Sequence, residues 1–216
     1  MITLLSHHLS ESTPAFAGGP PLKIHGLKEI KNGDSSNSYI ITMQNHLGTH
    51  IDAPRHFDPN GKSITSFHID SFIFTRPMLI NILKGPLGSI AVSDLEPHRD
   101  IISAADILLI RTGFQEYRSD TQKYSFTNPS ISIEAAKYLT TFQNLRALGL
   151  DTISAACPER REEGRTTHRL LLKDRDFFIV EDMDLKQYPT DCKRMLIIPI
   201  FIEGVDSSPC TILAEF

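Results

Sequence analysis

Apolar residues gather along this chain in short, nearly unbroken runs, with little strict alternation. Segments 22–30, 38–43, 77–83, 107–112, 177–180, 195–202 and 211–216 each read as a strand. Several lack polar positions at period two, the pattern of strands covered on both faces. One helical period is clear. Ser132 can cap a helix, Glu134 suits its first turn, and Ala135, Leu139, Phe142 and Leu145 recur at helical spacing to about residue 146. Gly149 then lies where such a helix would stop. A shorter helix is predicted over 167–173. The first 21 residues end in Gly18-Gly19-Pro20-Pro21 and read as a surface loop. Strands outnumber helices and do not alternate regularly with them. The pattern therefore predicts the α/β class with a mixed β-sheet, not a doubly wound nucleotide binder.

A length of 216 residues predicts one domain, 1–216. With 40% hydrophobic and 22% charged residues the composition is globular, not disordered. A net charge of −4 argues against a nucleic-acid partner, which would need a basic face. The longest apolar run, 195–202, is interrupted by Pro199 and is too short for a membrane span of about 20 residues. The opening MITLLSHHLS has neither a basic n-region nor a long apolar core, so no signal peptide is expected. Cys157, Cys192 and Cys210 form no CxxC pair, which fits reduced thiols and a cytoplasmic location. The expected partner is a small-molecule substrate. One oddity remains, nine histidines against no tryptophan.

The histidines point to the chemistry. Within 46–56 the chain reads HLGTHIDAPRH, placing His46, His50, Asp52 and His56 at spacings of 4, 2 and 4. Imidazole and carboxylate donors in this density form a ligand set for a borderline dication. A helix would point Asp52 away from His46 and His50. A straight strand would set His46 and Asp52 about 20 Å apart, at about 3.3 Å per residue. The chain must bend, with Gly48 permitting the turn and Pro54 stiffening the exit. The segment is expected to be a tight, irregular loop. Neutral imidazoles leave a bound dication Lewis-acidic, and a carboxylate such as Asp52 can bridge two ions. A nearby unligated histidine can move protons, and His56 is the candidate. All donors are nitrogen or oxygen, which favours an open catalytic site over a closed, cysteine-rich structural one.

A second cluster joins His168 to a carboxylate beyond the 177–180 strand. Glu181 emerges at that strand's end, although Asp182, Asp184, Glu203, Asp206 and Glu215 are equally eligible on spacing alone. The charged stretch PERREEGR over 158–165 reads as a solvated loop. His7 and His8 read as surface residues, His25, His68 and His98 as structural ones, and Cys157 as a small packed residue.

The unbroken HxGTHxDxPxHF signature from His46 to Phe57 resembles the cyclase family of metal-dependent hydrolases, which includes bacterial kynurenine formamidases and isatin hydrolases. GLDTIS, HRLLL, FIVED and GVDSSP resemble further motifs of that family. The resemblance implies an α/β fold around a swivelling β/β/α core, assembled as a homodimer or larger homo-oligomer. It implies two divalent ions per chain, zinc or manganese. His46, His50 and Asp52 would hold the first, Asp52, His168 and Glu181 the second, and His56 would be the general acid/base. Kynurenine formamidases carry a Trp in a PxWPGD stretch that helps hold substrate. Here PAFAGG puts Phe16 in that position, with Ala and Gly where the family has Pro and Asp, and this leaves the substrate open. The implied activity is hydrolysis of a small amide, formamide or lactam. Cyclisation, dehydration or lactone opening at the same site, or a non-enzymatic metal-binding module, are the alternatives.

Overall fold

The computed structural model describes residues 1–186, 188 and 191–216. Its strands are β1 (Ile2–Leu4), β2 (Lys23–Lys28), β3 (Ser38–Thr42), β4 (His50–Asp52), β5 (Ile73–Phe74), β6 (Pro77–Asn81), β7 (Ser89–Ile90), β8 (Ile107–Arg111), β9 (Ser130–Ile131), β10 (Ala147–Leu150), β11 (Phe178–Glu181), β12 (Arg194–Pro199) and β13 (Ser207–Glu215). The α-helices are α1 (Val92–Leu95), α2 (Arg99–Ala104), α3 (Thr121–Phe126), α4 (Ile133–Thr140) and α5 (Arg161–Leu172). Nine of the described strands form one sheet in the order β5-β12-β13-β4-β11-β10-β8-β6, with β1 also on β13. From β6 to β11 the neighbours run parallel, and from β11 to β5 they run antiparallel. The expected mixed α/β class is what the chain adopts.

β5 and β6 stand at opposite ends of that order, yet only Thr75 and Arg76 separate them. The sheet must therefore curl until its ends meet. Asp106 secures the join, its carboxylate accepting the backbone N–H of Thr75 at 2.8 Å and of Arg76 at 2.9 Å. The period of two then sorts the apolar runs onto two faces. Leu108, Ile110, Leu148, Leu150 and Ile179 pack with Ala135 and Leu139 of α4 and Leu171 of α5. On the other face, Ile107, Leu109, Phe178 and Val180 meet Ile51, Met195, Ile197 and Ile212 across the curl. These side chains are almost fully excluded from water, each contributing roughly 1.5–3 kcal/mol.

Five local expectations need correction. Ser132 caps α4 as expected, its Oγ accepting the Ala135 N–H at 3.1 Å, but the helix ends at Thr140. Phe142 and Leu145 keep helical spacing only as buried residues of the connection, and Gly149 lies inside β10. The 158–165 stretch is not a loop, because Pro158–Arg160 forms a 3-10 turn and α5 takes in the rest from Arg161. Glu162 and Glu163 sit favourably in its first turn, and Glu162 pairs with Arg165 and Glu163 with Arg160, contacts that an apolar pattern does not reveal. The 46–56 segment is not wholly irregular, since His50–Asp52 is a central strand. Likewise β1 interrupts the amino-terminal loop. The 22–30 and 38–43 runs do form strands, but as a two-stranded ribbon with exposed faces, outside the main sheet.

The end of β11 is fixed by an ion pair between a buried carboxylate and a partly buried guanidinium. Asp182 follows Glu181 in the left-handed region at φ 52°. Its carboxylate accepts from Arg118 Nε at 2.9 Å and Nη2 at 2.8 Å, and from the Tyr124 hydroxyl at 2.7 Å. Replacing Asp182 by Ala leaves Arg118 without its partner, and we expect a loss of about 3 kcal/mol in denaturant unfolding. A loss below about 1 kcal/mol would show that the cluster does not hold this corner.

Candidate functional site

β4 lies where the parallel half of the sheet meets the antiparallel half. Its register sets Glu181 of β11 opposite His50, and Ser207 of β13 opposite Asp52. Because alternate strand residues share a face, His50, Asp52 and Glu181 project to one side while Ile51 packs into the opposite core. That side is the one α5 covers, and α5 supplies His168. Gly48 turns the chain into β4 at φ 67°, and a Cβ there would come within 2.3 Å of Leu9 Cδ2. His46 precedes that turn. Beyond β4, the single turn Pro54–His56 swings His56 back towards the strand. The bend expected from Gly48 and Pro54 is therefore present, with three extended residues between its two halves.

Asp52 is 0% exposed and sits at the centre. His46 Nδ1 lies 3.0 Å and His50 Nε2 3.6 Å from its Oδ1, and His56 Nε2 lies 4.0 Å from its Oδ2. Glu181 bridges the other side, with His50 Nε2 at 3.3 Å and His168 Nε2 at 3.4 Å. Two hydrogen bonds to backbone carbonyls orient the deeper imidazoles. His50 Nδ1 lies 2.8 Å from the Gly48 oxygen, and His168 Nδ1 lies 2.8 Å from the Gly164 oxygen. Donation of the Nδ1 protons there turns both Nε2 atoms towards the carboxylates, the arrangement seen for metal-ligating histidines. Glu181 Oε1 accepts from the Ala155 N–H at 2.7 Å and from Ser154 Oγ at 3.1 Å.

The electrostatics follow from these distances. Burial alone would penalise the Asp52 carboxylate, but the His56, His46 and His50 imidazoles outweigh it and hold the group well below the usual carboxylate range. Burial likewise opposes charge on His46, and the neighbouring Asp52 and Asp206 carboxylates override it, raising the imidazole to about 10. Glu181, buried but hydrogen-bonded to His168 and His50, is lowered to about 2. So much carboxylate charge calls for positive charge close by.

The residues fit a dication. Neither Asp52 oxygen has a hydrogen-bond partner among the described residues, although both are buried, and such an orphaned pair is costly unless it coordinates something. The donor atoms form two groups that share Asp52: His46, Asp52 and His56, and His50, Asp52 and Glu181. Within each group the ligand atoms lie within 4.8 Å of one another. The structure thus brings His46, His50, Asp52, His56, His168 and Glu181 together. His56 stands as close to the first group as a ligand would.

Sequence reasoning did not single out Asp206. Its Oδ2 lies 2.7 Å from His56 Nδ1 and 3.0 Å from His46 Nε2, tying the two histidines together. Asn45 Nδ2 donates to its Oδ1 at 2.8 Å. The only signal was the GVDSSP segment, which carries no ligand spacing. Asp182, Asp184, Glu203 and Glu215 do not join the donor groups among the described residues.

The site opens into a cavity of about 410 Å³. Phe16, Phe57, Ile153 and Cys157 form its apolar walls, and Arg161 and Arg165 stand further along α5. Phe16 also packs on Phe114, Tyr124 and Ile153, so it belongs both to the cavity and to a small core. Cys157 is buried. His7 does not line this cavity; its backbone N–H donates to Thr49 Oγ1 at 2.9 Å. His25 and His68, expected to be structural, are exposed.

Comparisons with known proteins agree with this geometry. A family model described as putative cyclase matches residues 3–156. A kynurenine formamidase of Erythrobacter litoralis is 29% identical over 210 residues, covering 95% of this chain and 89% of that protein. Cyclase-like protein 1 of Arabidopsis thaliana is 26% identical over 216 residues, covering 95% of this chain and 81% of its own length. Among solved structures, an isatin hydrolase bound to the product analogue thioisatinate superposes with a TM-score of 0.84 at 18% identity, over 99% of this chain and 91% of that one. With the family model spanning most of its length and this fold shared throughout, the chain belongs to the cyclase family.

Proposed function

We propose that this protein is a metal-dependent hydrolase that cleaves the C–N bond of a small amide, formamide or lactam. The observation that carries the reading is Asp52, a carboxylate fully buried in mid-sheet, ringed by imidazoles, with neither oxygen hydrogen-bonded. Relatives named kynurenine formamidase support the bond type. His46, His50, Asp52, His168 and Glu181 would hold one or two ions of zinc or manganese type, with Asp52 placed between the two donor groups. Such an ion supplies a Lewis acid and makes water more acidic at neutral pH.

The chain's own groups supply the rest. Asp206, as a carboxylate, accepts the Nδ1 proton of His56 and leaves Nε2 facing the site. His56 Nε2 takes a proton from the attacking water and delivers it to the departing nitrogen as the carbonyl carbon gains oxygen and loses nitrogen. Phe16 and Phe57 give flat apolar walls on which a cyclic or aromatic body can rest. Glu181 stays ionised because the Ala155 N–H and Ser154 hydroxyl hold one oxygen while two histidines face it.

The same reading makes the protein a homo-oligomer. It is supported by the ribbon of β2 and β3, where Leu27, Tyr39, Ile40 and Ile41 are all at least half exposed. A two-stranded ribbon is marginal unless something covers it. A cytoplasmic location is supported by the three free cysteines, and no helix of the described residues is long and apolar enough to cross a membrane.

Three measurements test this reading. Zinc or manganese is expected to raise the melting temperature of the chelator-treated protein. At free ion about 100 times Kd the stabilisation is about 2.7 kcal/mol, and Asp52→Ala abolishes it. A melting temperature indifferent to both ions removes the metal reading. For His56→Ala, elemental analysis should return the wild-type metal content while turnover falls by about 10²–10⁴. Metal lost together with activity would instead make His56 a ligand, and unchanged turnover would end its acid/base role. Light scattering should give a multiple of 24.2 kDa for the wild-type chain, with Ile40→Glu moving it towards the monomer. A wild-type chain that scatters as a monomer overturns the assembly.

A further inference from the structure

The outer half of the cavity has a charge that the proposed chemistry leaves unused. α5 faces the cavity with Arg161, Gly164, Arg165 and His168, positions that fall on one helical stripe. At 1.5 Å rise per residue, Arg165 stands about 4.5 Å and Arg161 about 10 Å along the axis from His168. Gly164 lets this stripe form the wall itself. A Cβ there would come within 2.4 Å of Ala156 Cβ, so the helix lies directly against the 154–157 segment.

The two arginines differ from their neighbour in what they touch. Arg160 is committed to structure: its Nη2 donates to the Gly88 oxygen at 2.8 Å, to Ser130 Oγ at 3.0 Å and to the Leu87 oxygen at 3.1 Å. Among the described residues Arg165 pairs only with Glu162, in a solvent-exposed pair at 2.6 Å of the kind that contributes little and yields to a better partner. Arg161 has no ion-pair partner among the described residues. Glu181, at the inner end, is the one acidic side chain among the described residues lining the cavity. Phe16, Phe57 and Ile153 line the same cavity, with the Phe57 ring against His56 at 4.6 Å and His168 at 4.9 Å between centroids. The cavity thus combines a donor-rich inner end, apolar walls and a cationic stretch along α5.

We propose that Arg161 and Arg165 select the substrate by receiving a carboxylate on it. The preferred substrate class is then an aryl amide or lactam whose ring carries a carboxylate on the side remote from the bond that breaks. The planar guanidinium fork suits a carboxylate, and the apolar walls suit the ring that carries it. This inference rests on the hydrolase reading for its reaction, but the anion site can be tested without it.

Two arms separate them. In the first, the zinc-loaded enzyme hydrolyses formanilide and 4-formamidobenzoate. The charged compound is expected to have a KM lower by roughly tenfold or more, and the Arg161→Gln, Arg165→Gln double variant should bring the KM ratio of the two compounds towards one. In the second, calorimetry compares 4-aminobenzoate with aniline on metal-free protein. Binding of the acid should be the tighter, and the double variant should lose that preference. Both arginines are exposed, so circular dichroism and the melting temperature should match wild type. No turnover of either formanilide, with an arginine-dependent preference for 4-aminobenzoate, would sink the hydrolase reading and leave the anion site standing. Turnover with equal KM for both compounds, or a preference that survives in the double variant, overturns the anion site.

Discussion

The structure is organised around one expensive group, the Asp52 carboxylate, carried into the middle of a sheet. Bringing an ion out of water costs several kcal/mol even after the protein relaxes, so a buried carboxylate persists only with compensating charge. Here that charge comes from imidazoles on different parts of the chain: His46 and His56 from the turns flanking β4, and His50 from β4 itself. Glu181 adds a second carboxylate from the neighbouring strand and draws in His168 from α5. The strand order matters because β4 touches the parallel half through β11 and the antiparallel half through β13. One short strand thereby stands between Glu181 on one side and, through the start of β13, Asp206 on the other.

A second layer keeps that cluster from relaxing. Backbone oxygens of Gly48 and Gly164 fix two imidazoles, and Asp206 joins the other two. The Thr49 hydroxyl donates to the Asp182 carbonyl oxygen, tying the start of β4 to the corner that Arg118 and Tyr124 hold just past Glu181. The geometry of the candidate ligands is thus fixed by a surrounding set of hydrogen bonds, most of them from groups outside the cavity wall. Such preorganisation lets a site bind or polarise a ligand without paying for rearrangement at that moment.

Much of this was legible in the sequence, for identifiable reasons. Metal-type donors are rare enough that their density in 46–56 pointed to the segment where the donor groups gather, and a length argument required a bend near Gly48 and Pro54. It did not reveal that the bends flank a strand, because the argument asked only whether all four donors could share one element. Glu181 could not be separated from its rivals by spacing, and Asp206 was one of those rivals. Its role exists only because β13 returns beside β4, bringing together residues 160 apart in the chain. Each apolar run became a strand, but β1, β4, β5, β7, β9 and β10, of two to four residues each, lie outside the runs. The runs could not show that β2 and β3 stand outside the sheet, since apolar composition reports a tendency to be covered and not by what.

The stretch that sequence reasoning read least well, 158–165, is also where the structure is most economical. Helix formation there draws on a favourable first turn and on charge pairs, features invisible to hydrophobic periodicity. Once the helix forms, its periodicity does two things at once. The stripe that carries Arg161, Gly164, Arg165 and His168 along the cavity continues to Leu171, which it places in the core beside α4. A loop of the same composition could have put arginines at the cavity rim, but not at a fixed axial distance from a candidate ligand. The tight approach of Gly164 to Ala156 then ties that spacing to the 154–157 segment, whose Ser154 and Ala155 also hold Glu181. The outer, cationic end of the cavity and its inner, carboxylate end are thus positioned by the same packing contact, so a change at Gly164 would disturb both together.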